Sequence, residues 1–224
     1  MNSKLVIAID GPAGAGKSTV ARLLAERLSL SYLDTGAMYR CVALLAHRAG
    51  LGADDGAEAA RLAGSAEIGF GPGIPPTVFL NREDVSGLIR TTEIAELASA
   101  LSAFPEVREI LVAQQKRIVQ AGGVTLEGRD TTTVVAPQAD LKVFLTASLE
   151  ERARRRYEEL KAAGKDVPLV DLTRLISERD HRDYTRSESP LTIAEDAVRI
   201  ESFGIPPETI VAEIMDELKH RGKL

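Results

Sequence analysis

The sequence predicts an α/β fold built on a doubly wound parallel sheet, and three observations predict it. A short, continuously apolar run ends in Gly-Pro; a glycine-rich turn then leads into a helical pattern; and later strand-like runs alternate with helical ones. With 224 residues, 44% of them apolar, the chain is long enough to bury one sizeable core and carry an inserted subdomain.

Taken in order, Leu5-Val6-Ile7-Ala8-Ile9 is apolar without alternation, which suits a strand covered on both faces. From Ser18 onward Val20, Leu23, Leu24 and Leu28 recur at helical spacing, and Tyr32-Leu33-Asp34 reads as a second strand. Residues 36–122 carry an Ala-rich helix pattern, a Gly/Pro-rich patch from Gly69 to Pro76, a hairpin near Asn81-Arg82 and two more helices, so an insert is expected there. Val124-Thr125-Leu126 and the run from Leu141 to Leu145 read as further strands, with helices expected from Ser148 and from Glu208. Gly164 to Pro168 reads as a mobile turn between two charged helices.

A net charge of -5 argues against long DNA or RNA, whose binding needs many cations against phosphates. The Leu5 run is too short for a secretory signal and no stretch approaches a membrane span, so a cytoplasmic protein is expected. The single cysteine, Cys41, excludes an intrachain disulfide and a four-thiolate zinc site, and is expected to fill core.

Gly11-Pro12-Ala13-Gly14-Ala15-Gly16-Lys17-Ser18 matches the Walker A pattern in full, between a predicted strand and a predicted helix. In such a loop the N–H groups of Gly11, Ala13, Gly14, Ala15 and Gly16, continuing into Ser18 and Thr19 at the helix start, converge on phosphate oxygens. Lys17 is expected to reach the outer phosphates of a nucleotide, and Ser18 to ligate Mg²⁺. A phosphate loop does not by itself make an enzyme, because switch GTPases share it. No Asn-Lys-x-Asp guanine reader occurs here. His181-Arg182-Asp183 spells the protein-kinase triplet, but the residue where that pattern needs Asn is Glu188, and no Asp-Phe-Gly is present.

The helix pattern with Leu172, Leu175 and Ile176 on one face continues into Arg179, Arg182, Asp183 and Arg186. Either that face leaves the core for a polar cleft, or it is a solvated helix end with Arg179 and Asp183 paired four apart. Arg152, Arg155 and Arg156 share a face as well, open to two readings: a solvated face balanced by Glu150 and Glu151, or arginines that close on a transferring phosphoryl group. Gly128-Arg129-Asp130 follows a strand and so falls at the C-terminal sheet edge, where open sheets bind ligands; Arg40, five residues after Thr35, projects toward the same edge.

These residues resemble the bacterial cytidylate kinases. The likeness lies in Ile9-Asp10-Gly11-Pro12 leading into the phosphate loop, in the run from Leu33 to Arg40, and in Glu127-Gly128-Arg129-Asp130. It extends to Asp84-Val85-Ser86, Ile89-Arg90-Thr91, Ala103-Phe104-Pro105 with Val107-Arg108, and Glu178-Arg179-Asp180 through Pro190-Leu191. The resemblance implies a three-layer P-loop nucleoside-monophosphate-kinase fold. Its core would be 1–35, 123–150 and 168–224, its monophosphate-binding insert 36–122 and its short lid 151–167. It further implies a monomer that moves the γ-phosphoryl group of ATP to CMP or dCMP with Mg²⁺.

Carried over residue by residue, Thr35 lies near the acceptor and Arg40 and Arg129 hold its phosphate. Ser99, Arg108 and Asp130 read cytosine, and Arg179 and Asp183 contact the sugar. Arg186 is a further phosphate ligand beside the transferred group. Arg152, Arg155 and Arg156 fall in the lid, with Arg156 on ATP. Lys17, Arg129, Arg152, Arg155 and Arg186 form the expected catalytic set. Two departures stand out. Thr132 replaces a usual Gly, and Glu201-Ser202-Phe203-Gly204 replaces Asp-Thr-Thr-Gly, so the turn after Asp130 and the adenine-side loop are expected to differ. The rival readings are a kinase for another small acceptor such as UMP and a non-catalytic nucleotide-binding regulator.

Overall fold

The computed structural model describes residues 4–224. Its first element is β1 (Val6–Asp10), followed by the phosphate loop, α1 (Lys17–Leu28) and β2 (Ser31–Asp34). The first three residues of the expected core segment 1–35 lie outside the described residues. α2 (Thr35–Arg48) starts where the Asp34 carboxylate accepts the Ala37 N–H at 2.9 Å, a side-chain cap. α3 (Gly56–Ser65), the short antiparallel strands β3 (Ile68–Phe70), β4 (Val78–Leu80) and β5 (Glu83–Asp84), and α4 (Thr92–Leu101) come next. α5 (Pro105–Gln120) has its proline in the first turn, where a missing N–H costs nothing. β6 (Val124–Gly128), a π-helical turn over Thr131–Val135 and β7 (Leu141–Thr146) follow. α6 (Leu149–Ala162) is capped by the Ser148 hydroxyl, and α7 (Leu169–Thr185), β8 (Val198–Glu201) and α8 (Pro207–His220) complete the chain. No helix among the described residues is long and apolar enough to cross a membrane.

The main sheet is parallel throughout, in the order β2-β6-β1-β7-β8. Strand alternation sends Ile7 and Ile9 to one face, packed with Val20, Leu24, Ile210 and Ile214 of α1 and α8. Ala8, Leu33 and Leu126 face the other way, against Met38, Val42 and Leu111 of α2 and α5. Two apolar clusters on opposite faces make the three layers. They also fix the C-terminal ends of β1, β2 and β6 side by side, where the phosphate loop begins. Cys41 is fully buried, and burial pushes its thiol up to about 12, as core filler requires.

Three features differ from the expectations. The Ala-rich pattern is two helices, α2 and α3, because Gly50 at φ 74° breaks the run and Gly56 must lack a Cβ, which would lie 2.1 Å from the Phe104 ring. β8 was not expected: of Val198-Arg199-Ile200-Glu201 only Ile200 is buried, as on a sheet edge. At Thr132 the backbone is not in the left-handed region, so a β-branched residue fits the turn without strain. The expected hairpin at Asn81-Arg82 is present, with φ of 50° and 70°, the two positive values that a type I′ turn needs.

Candidate active site

The phosphate loop leaves β1 at Gly11, whose Cβ, were there one, would stand 1.9 Å from the Leu145 carbonyl oxygen; only glycine allows this approach. Lys17 is buried, and its Nζ donates to the Pro12 carbonyl at 2.8 Å. Burial, then the nearby Arg129 guanidinium, pushes its ammonium down to about 7. The Ser18 hydroxyl donates to Glu127 Oε1 at 2.7 Å, bringing a hydroxyl and a carboxylate together at the start of α1. Ala13, Gly14, Ala15, Gly16 and Thr19 line a cleft of about 1010 Å³.

The first turns of α6 lean on this loop. Arg152 is buried, donates to the carbonyls of Ala13 and Ala147, both at 3.0 Å, and stands 2.6 Å from Asp180. Arg155 donates to the Ser202 hydroxyl at 3.0 Å and the Ser202 carbonyl at 2.7 Å, and Ser202 in turn donates to the Ala15 carbonyl at 3.0 Å. Arg156 is turned outward to Glu159 at 3.0 Å, on the wall of the cleft. The shared helix face thus divides, with two arginines on the loop and one on the solvated side.

A second recess, about 220 Å³, opens beside Lys17. The Thr35 hydroxyl donates to the Glu127 carbonyl at 2.7 Å, and Arg40 is held by Asp34 at 2.6 Å. Arg129 donates to Asp183 at 2.8 Å, and Arg186 lies 3.7 Å from the same carboxylate. Burial opposes the charge on Asp183, but Arg129, Arg179 and Arg186 overcome it and hold the carboxyl below its usual range. The pairing of Arg179 with Asp183 that helix spacing allowed is not made as a contact ion pair, because Asp183 faces Arg129. Arg179 keeps a buried Nε with no hydrogen-bond partner, and burial followed by Arg129 brings its guanidinium down to about 10. Arg186 Nη2 is likewise buried without a hydrogen bond. A buried donor without a partner is costly, and Arg40 Nε and Arg108 Nε in the same recess are in the same condition.

At the far end of the recess Arg108 and Asp130 form a buried ion pair, and Arg108 also donates to the Ser102 carbonyl at 3.2 Å. The Arg108 guanidinium lies 5.5 Å from the centre of the Tyr39 ring. Ser99 is buried there, its hydroxyl 3.4 Å from Arg182 Nε. Both hollows share Lys17, Ser18, Arg40, Ser99 and Arg179, so they are one continuous site. Every expected residue lines the cleft or the recess except Gly11, which starts the phosphate loop, and Arg152, which donates to it. Sequence reasoning gave no role to Asp10, Asp34, Glu127, Tyr39, Asp180 or Ser202. Only Asp34 carried a local signal, as the residue before a helix pattern.

The chain matches the family described as "Cytidylate kinase" over residues 7–220. It is 48% identical over 211 residues to the cytidylate kinase of Carboxydothermus hydrogenoformans, with 94% of this chain and 95% of that one covered. To the cytidylate kinase of Geobacter sulfurreducens it is 47% identical over 218 residues, covering 97% and 94%. Among solved structures a gluconokinase from Sinorhizobium meliloti 1021 aligns with a TM-score of 0.53 at 16% identity, over 98% of this chain and 94% of that one, a likeness of fold alone.

Proposed function

The chain belongs to the cytidylate kinase family, and we propose that it transfers the γ-phosphoryl group of ATP to CMP or dCMP, giving ADP and CDP or dCDP. The observation that carries this is the recess beside Lys17, with Arg129 and Arg179 nearest the lysine and with Arg186, 3.9 Å from Asp130, beside the buried Arg108–Asp130 pair. A phosphate group and a base carrying both donors and acceptors fit such a recess.

In this reading 1–35, 123–150 and 168–224 are the core, 36–122 the monophosphate-binding insert and 151–167 the lid. The phosphate-loop N–H groups and the α1 N-terminus bind the ATP phosphates, and Lys17 exchanges the Pro12 carbonyl for an outer phosphate oxygen. Arg40, Arg129 and Arg186 hold the acceptor phosphate, Arg179 and Asp183 the sugar, and Thr35 lies alongside. The acceptor phosphate, with a second pKa of about 6, is already dianionic at neutral pH, so no general base is required. What the protein supplies is alignment and cationic charge against two polyanions. Arg152 and Arg155 act from the lid by fixing the carbonyl side of the phosphate loop, and Arg156 completes the ATP side.

The Ser18 hydroxyl beside the Glu127 carboxylate is the sparse oxygen set that Mg²⁺ accepts together with phosphates and water. Ser18 and the neighbouring Glu127 would hold the ion, which would neutralise phosphate charge when bound. Because one chain builds the whole recess, a monomer is the working unit in this reading, and the cytoplasm is its compartment. Incubation with ATP, Mg²⁺ and CMP, with products separated by ion exchange, tests the reading directly. CDP in amounts equal to ADP supports it, and ADP without CDP counts against it.

A further inference from the structure

Asp10 ends β1, immediately before the phosphate loop, and is completely buried. Its Oδ1 accepts the Thr131 N–H at 2.9 Å and the Thr131 hydroxyl at 2.8 Å. Its Oδ2 accepts the Thr132 N–H at 2.7 Å and the Thr132 hydroxyl at 2.6 Å. A carboxylate offers about four lone-pair sites, and here four donors fill them. Burial pushes the Asp10 carboxyl upward, and the same four donors oppose that.

The placement of these bonds matters more than their number. Thr131 and Thr132 directly follow Arg129 and Asp130, and Asp10 lies opposite Gly128 in the β1–β6 register. The carboxylate therefore crosses from the strand that launches the donor loop to the turn that follows the acceptor residues. There is little slack around it: a Cβ on Gly128 would stand 2.6 Å from both Thr131 Cγ2 and Thr35 Oγ1. Apolar side chains of similar volume hold a fold as well as a buried charged network does. Four directional bonds do something else, fixing the angle at which one chain segment leaves another.

We infer that Asp10 is a positioning residue for the acceptor site, acting through Thr131 and Thr132 to set Arg129 and Asp130 against the phosphate loop. The inference rests on the reading of Arg129 and Asp130 as acceptor ligands.

The test is Thr132→Val, nearly isosteric and lacking only the hydroxyl, beside Thr132→Ser, which restores it. Turnover, KM for CMP, KM for ATP and the thermal midpoint are measured for each. Thr132→Val is expected to lower kcat/KM for CMP about tenfold, given that ångström-scale misplacement costs up to about a hundredfold. KM for ATP should stay within about twofold, since the phosphate loop itself is untouched, and Thr132→Ser should return the CMP constants to near wild type. Should Thr132→Val fold poorly, Thr132→Ala removes the same hydroxyl without setting a methyl against the carboxylate, and the same split is expected. Unchanged CMP constants with a lower thermal midpoint, or equal losses for ATP and CMP, would overturn the positioning role. Wild-type protein that makes no CDP fails earlier, overturning the acceptor-site reading and this inference with it.

Discussion

Lys17 Nζ donates to the carbonyl of Pro12, five residues back in its own loop, at 2.8 Å. The bond gives the buried ammonium one acceptor for its three donors, and a single carbonyl is a weak competitor for it. Lys17→Ala should therefore leave the fold intact while lowering turnover on the order of a thousandfold, as loss of other cations at a transferring phosphoryl group does. Steady-state ADP release measures it, and near-normal turnover would contradict the assignment.

The same lysine gives a pH dependence. Burial and Arg129 bring it down to about 7, and phosphates brought beside it favour its charged form. Binding then takes up a proton, so ATP affinity falls as pH rises from 7.5 toward 9, by up to about tenfold per pH unit. Calorimetric titration in buffers of different ionisation enthalpy reads both the affinity and the proton. A flat profile with no proton uptake would show that Lys17 is already fully charged.

Arg108 and Asp130 are both almost fully buried and neutralise each other. Arg108→Leu alone leaves the buried Asp130 carboxylate with only Arg186, 3.9 Å away, and should cost up to about 3 kcal/mol in urea unfolding, whereas Arg108→Leu with Asp130→Leu recovers part of that. The double variant should nevertheless lose its preference for CMP over UMP. Recovery of that preference along with stability would mean the pair is structural only.

Ser202 joins the β8–α8 loop to the phosphate loop by donating to Ala15 and accepting from Arg155. Ser202→Ala should raise KM for ATP about fivefold, the equivalent of about 1 kcal/mol for a lost hydrogen bond, and leave KM for CMP unchanged. Ser202→Thr keeps the hydroxyl and should behave as wild type. A change confined to CMP would contradict the placement of this loop on the donor side.

What the sequence made legible was local. The run before Gly11 and the glycines of the loop have short-range causes, and β1, the loop and α1 lie where those causes put them. Helix spacing also placed Arg152, Arg155 and Arg156 on one face, but could not say that the first two would meet Ala13 and Ser202 while the third met Glu159. The pairing of Asp183 with Arg129 spans 54 positions, that of Ser18 with Glu127 spans 109, and the clamp on Asp10 spans 121 and 122. No spacing rule reaches so far. Thr132, a misfit under the expectation of a positive φ, becomes intelligible only once its hydroxyl is seen on Asp10. β8 escaped notice because an edge strand with one buried residue carries almost no apolar pattern.

The identity of the acceptor is read most directly from ADP formation from ATP and Mg²⁺ with CMP, dCMP, UMP, AMP and GMP offered separately to the purified protein. Turnover should be strongest with CMP or dCMP and weaker with the other three. Equal rates with every acceptor, or ADP release independent of any of them, would contradict it.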